Sequence, residues 1–135
     1  MLLSIFKCLM LASTAYLVTG CEQSVAELHS ADLPIEYVSV STELIEDGMV
    51  RIRVDVRHAK QDAAVFYFAN CAAARYAING GFSFLLHVIS TLDYKQDLKS
   101  AEAVYLISAT LPPGSKKLDA EVVAINCAEN GIPMV

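Results

Sequence analysis

Residues that carry chemistry are scarce in this chain of 135, which has three histidines and four cysteines. His29, His58 and His87 stand far apart, and no two have the spacing of metal ligands on one helix. No G-x-S-x-G elbow, H-E-x-x-H pair or Walker-type glycine loop occurs, so the common signatures of hydrolases and nucleotide-binding proteins are missing. The cysteines never form a C-x-x-C pair, which removes support for a thioredoxin-like redox role. Basic side chains are also few. Ten Lys and Arg against fifteen Asp and Glu give a net charge of −5, which argues against nucleic acid as a partner, because such binding needs a basic patch to displace counterions. Neither a cofactor nor a bound metal is expected.

One apolar run stands out, and it is short. Lys7 precedes the stretch Cys8 to Val18, and the small residues Thr19 and Gly20 follow. These are the three regions of a secretory signal, and the run falls short of the roughly 20 residues of a membrane-spanning helix. Val18-Thr19-Gly20-Cys21 resembles the lipobox of bacterial lipoproteins. In that family the cysteine receives a diacylglycerol thioether, becomes the N-terminus after cleavage and is usually acylated on its amine. The resemblance implies a signal peptide over residues 1–20, lipidation at Cys21 with palmitate-type chains, and a bacterial cell-envelope location held through the lipid anchor. Glu22 in place of aspartate implies, by the enterobacterial sorting pattern, the outer membrane facing the periplasm. Each buried methylene contributes about 0.8 kcal/mol, so two or three acyl chains would hold the protein on its membrane almost permanently.

With Cys8 removed in the signal and Cys21 carrying lipid, Cys71 and Cys127 remain in a compartment that permits disulfides. Pairing is the first expectation, and two separate buried thiols are the alternative. Residues 21–33 read as a lipidated N-terminus and polar tether of about 40 Å when extended.

From Pro34 to the end the pattern is that of one α+β domain. Val38, Val40, Thr42 and Leu44 share a strand face, and Glu46-Asp47-Gly48 supplies a turn. In Met49 to His58, Val50, Ile52, Val54 and Val56 alternate with Arg51, Arg53, Asp55 and Arg57, as in an antiparallel strand with one wet face. Residues 62–79 change to helical period, with Asp62 as a possible cap, seven alanines and a stop at Asn79-Gly80-Gly81.

Two further strands are expected over Phe82 to Leu92 and Ala101 to Leu111, joined by the polar stretch Asp93 to Ser100. In the first, Phe82, Phe84, Leu86 and Val88 would face one way, and Leu85 and Ile89 the other. A helix over Asp119 to Asn130 is preferred to a strand over Leu118 to Val122. The order is ββαββα. The expectation is a two-layer sandwich, a four-stranded antiparallel sheet covered on one side by two helices that could bring Cys71 and Cys127 together.

Two patterns invite a sharper reading. Arg51, Arg53 and Arg57 could form an anion-binding comb, although a solvated face neutralised by Asp55 and by Glu36 or Glu43 is the commoner arrangement. His87 could act as a base beside Tyr105, but a single histidine in an apolar strand is usually structural. The function expected is that of a non-catalytic binding or assembly module for another envelope protein. Its sheet face, or the apolar end Ile132-Pro133-Met134-Val135, would make the contact. An inhibitor or immunity-type protein binding a soluble partner is the alternative, and a hydrolase the remote one.

Overall fold

A computed structural model describes residues 33–134, so the signal, Cys21 with most of the tether, and Val135 lie outside the described residues. From Pro34 onward the chain forms one compact unit. Its elements are β1 (Glu36–Glu46), β2 (Met49–Arg57), α1 (Asp62–Asn79), β3 (Phe84–Lys95), β4 (Leu98–Ser108), β5 (Lys117–Asp119) and α2 (Ala120–Glu129). The class is α+β, but the antiparallel sheet has five strands instead of the expected four, in the order β1-β2-β4-β3-β5.

The two hairpins follow from their turns. Gly48 adopts φ 77° between β1 and β2, where the left-handed region is open to glycine at little cost. Between β3 and β4 the turn is Gln96-Asp97, with Gln96 itself at φ 56°. The polar stretch from Asp93 to Ser100 is therefore mostly strand, with only this tight turn inside it, and not the loop its composition implies.

β2 behaves as its alternation requires. Val50, Ile52, Val54 and Val56 are all buried, while Arg51, Arg53, Asp55 and Arg57 lie on the opposite face. The faces of β3 correct the sequence reading. A bulge between His87 and Ile89 inserts Val88, so Phe84, Leu86 and Ile89 share the open face. Leu85, His87, Ser90 and Leu92 point to the helical side. One extra residue reverses every side chain beyond it.

α1 covers the sheet almost alone. Val65, Phe68, Ala69, Ala72, Ala73 and Ala77 are each no more than 1% exposed, and short alanine side chains let the helix axis come close to β2 and β4. Gln61 occupies the N-cap position without a side-chain bond. Asp62, expected as the cap, instead accepts hydrogen bonds from Tyr94 (2.6 Å) and Lys99 (3.0 Å), which ties the helix start to the β3–β4 hairpin. At the other end the Phe82 amide donates to the Ala77 carbonyl (2.8 Å), and Gly81 at φ 79° turns the chain back toward β3.

The last part of the chain combines two readings that had stood as alternatives. β5 pairs with β3 through Leu85 and Leu118, then hands over directly to α2. Asp119 caps that helix by accepting from the Glu121 and Val122 amides at 3.0 and 3.2 Å. α2 does not form half of a helical layer over the sheet, as the four-stranded sandwich would have it. It lies along α1 and against β5, and buries only Ala120 and Cys127.

β1 is an outer strand, paired on one side only. Its register shifts between Tyr37 and Ser39 and again between Leu44 and Glu46. Tyr37 holds its N-terminal half to the core by packing on Phe68, ring centroids 4.7 Å apart.

Candidate functional site

The arginine row is not an open comb but an ion-paired face, the commoner of the two arrangements. Arg53 donates to Glu102 through Nε at 2.7 Å, and Arg51 Nη1 donates to Glu43 at 3.0 Å. Arg57 lies 3.8 Å from Glu36. Arg51 Nε also sits 3.2 Å from Glu102, but the approach is too oblique for a hydrogen bond and this buried donor goes without one. Asp55 accepts from the Ser39 and Ser100 hydroxyls, each at 2.5 Å. The hollow of about 280 Å³ on this face is lined in part by the mutually bonded Ser39, Asp55 and Ser100 and by the Arg53–Glu102 pair. It offers little to an incoming anion. Exposed ion pairs of this kind contribute modestly to stability.

Those bonds set an acid limit on the fold. Hydrogen bonds from Ser100 and Ser39 hold the Asp55 carboxyl below its ordinary range, and the Arg53 hydrogen bond does the same for Glu102. A carboxylate whose pKa is lower folded than unfolded adds stability that is complete above the unfolded value. That stability is lost as pH falls through the folded one. The urea midpoint should therefore fall between about pH 5 and about pH 3, below a shallower loss that starts near pH 6.5 as the unfolded chain protonates His87, whose folded pKa is depressed. Asp55→Asn should flatten part of that fall, and an unchanged acid limb in the variant would remove Asp55 from the account.

On the helical side the two cysteines meet. Cys71 on α1 and Cys127 on α2 form a disulfide with their Cα atoms 6.0 Å apart, across 56 residues of sequence. Above the bridge opens a cleft of about 450 Å³. Tyr67 and Asn70 of α1 form one wall, Val123 and Asn126 of α2 the other, and Ile132 and Asn130 close its end. Tyr67 is 59% exposed, and on the outer side of α2 Val122 and Ile125 are 54% and 58% exposed. The stretch of α1 that reads as an apolar stripe through Tyr67, Cys71, Ala74 and Ile78 is split. Cys71 and Ala74 are buried, while Tyr67 and Ile78 face out.

His87 and Tyr105 lie side by side, edge to face at 5.6 Å. The Tyr105 hydroxyl donates to Asn70 Oδ1 at 2.5 Å, and burial pushes its pKa well above the ordinary value. Burial and the neighbouring Lys116 push the His87 pKa down, favouring the neutral imidazole. The hydroxyl's acceptor is an amide and no carboxylate takes part in the pair, so the geometry lacks the third group that would orient a catalytic base. What the pair does form is one wall of a second cavity, also about 450 Å³, which sequence reading missed because its other wall is the segment leading into β5.

Among the described residues no group of three or more His, Cys, Asp or Glu could hold a metal ion. No described helix is long and apolar enough to cross a membrane. The C-terminal residues expected as a partner contact are partly spent inside, since Ile132 and Met134 pack against the core and Pro133 lies beside Tyr37 and Phe68. Comparison with curated proteins and with solved structures finds no match. A family model described as the YNQ4 C-terminal domain matches residues 37–131, a span that runs from the start of β1 to the glycine after α2. The chain belongs to the YNQ4 C-terminal domain family.

Proposed function

We propose that this protein is a lipid-anchored, non-catalytic binding module of the bacterial envelope, tethered through Cys21 and engaging another envelope protein. The observation that carries the binding role is the cleft over the Cys71–Cys127 bridge. Its floor is covalently fixed, its walls are apolar with asparagine amides at the edges, Tyr67 is exposed at its rim, and Val122 and Ile125 are exposed on the outer side of α2. Exposed apolar side chains beside a concavity favour association with a partner over a role for the domain alone. The helical flank is preferred to the sheet face as the contact surface, because the charged part of that face, over β1, β2 and β4, is internally paired.

The anchor and the surface are tested separately. Cys21→Ser should move the protein from the membrane fraction to the soluble fraction. Unchanged fractionation, with no lipid mass on the N-terminal peptide, would overturn the anchor. Cross-linking in intact cells from a photoreactive residue at position 125, compared with one at position 57 on the sheet face, should capture a partner from the helical flank. Capture from position 57 alone would return the contact to the sheet.

A further inference from the structure

The second cavity, bounded by α1, β3, β4 and the strand entering α2, has a chemistry of its own. We propose that it binds a small organic anion, whose acidic head meets Lys116 and whose apolar body lies against Phe66 and Leu118. This site shares Asn70 and Leu118 with the cleft over the bridge and does not depend on membrane anchoring.

Three observations carry it. The first is charge. In a chain of net charge −5 the cavity is lined by Lys116 and Lys117 and by no carboxylate. Among the described residues neither lysine makes an ion pair. The Lys116 carbonyl accepts the His87 amide at 3.1 Å, which fixes that lysine at the rim beside the imidazole. The second is the sense of the hydrogen-bonding groups. Asn70 Oδ1 accepts the Tyr105 hydroxyl, and its amide NH₂ is left as a donor. Ser90 and Ser115 add hydroxyls to the lining. A wall of spare donors and ammonium groups suits a ligand rich in acceptors, and bonds from charged donors to such a ligand are among the stronger ones. The third is size. At about 450 Å³ the space falls in the range of small-molecule sites. It is too large for an inorganic anion to fill, and Phe66 and Leu118 supply apolar surface for the remainder.

The test uses the full chain in a neutral detergent, with the three imidazole signals assigned by single His→Gln variants. Titration with 4-phenylbutanoate should shift the His87 ring resonances saturably and leave His58, beside Asp97, unmoved. Lys116→Met combined with Lys117→Met, both at exposed positions, should weaken that binding at least tenfold. The neutral 4-phenylbutanol should bind weakly and respond little to the substitutions. Absence of any His87 shift would overturn the site. Equal binding of acid and alcohol, unaffected by the lysine variant, would overturn its preference for an anion, and inorganic phosphate binding as tightly as phenylbutanoate would overturn the role of the apolar wall.

Discussion

Replacing Cys71 and Cys127 together by alanine should lower the free energy of unfolding by about 4 kcal/mol, the chain-entropy value for a bridge across a loop of this length. The closed loop is long, with the two cysteines 56 residues apart. A domain of this size has roughly 5–15 kcal/mol of stability in total, so the change removes a large share of it. The loss should also be uneven. α2 buries only Ala120 and Cys127 and rests on α1 and β5, whereas the sheet is held by a continuous core under α1. Without the bridge the α2 amides should exchange with solvent before those of β2 and β4. Urea unfolding with and without reductant reads the first effect, and hydrogen exchange the second. A midpoint indifferent to reductant, with both thiols alkylatable in the native protein, would show that the bridge does not hold the fold.

Phe68→Ala should cost about 3–5 kcal/mol, the range for truncating a fully buried aromatic residue. Phe68 is 1% exposed and its ring lies against Tyr37, so its removal opens a void beneath the one aromatic anchor of β1. That strand has few other inward contacts, since only Tyr37 and Val40 along it are even partly buried. The expected signature is a lowered thermal midpoint together with early exchange of β1 amides. Phe68→Leu should recover much of the loss because it refills most of the volume. A destabilisation below about 1 kcal/mol would mean that the site collapses around the void, as well-relaxed sites do.

The legible parts of the sequence were those in which a single period persists. β2 alternates without a break from Val50 to Arg57, and the α1 pattern runs from an acidic start to a glycine stop, so both are found where the residues place them. The Cys71–Cys127 pairing was legible by elimination instead of by geometry. What escaped was local. β5 is three residues long, too short for any periodicity, and exists because Leu118 finds Leu85 across the edge of β3. The bulge at Val88 leaves no compositional mark, yet it turns Ile89 outward and leaves His87 and Ser90 on the same side, both on the wall of the second cavity. That cavity was illegible for the same reason. Asn70, His87, Tyr105 and Lys116 come from four separate segments, and only the register of β3 against its two neighbours assembles them.

The two register shifts in β1 bear on how these molecules behave in a crowd. A free strand edge is a template on which another chain can lay down a matching strand and then repeat the operation. Here the regular ladder runs only from Ser39 to Leu44 before Val38 on one side and Ile45 on the other break its spacing. Glu36, Glu43 and Glu46 place negative charge along the same strand. An identical edge arriving in the antiparallel sense would bring acid toward acid and find few residues in step. The strand can therefore remain exposed, even where many copies are packed together, without seeding stacked sheets.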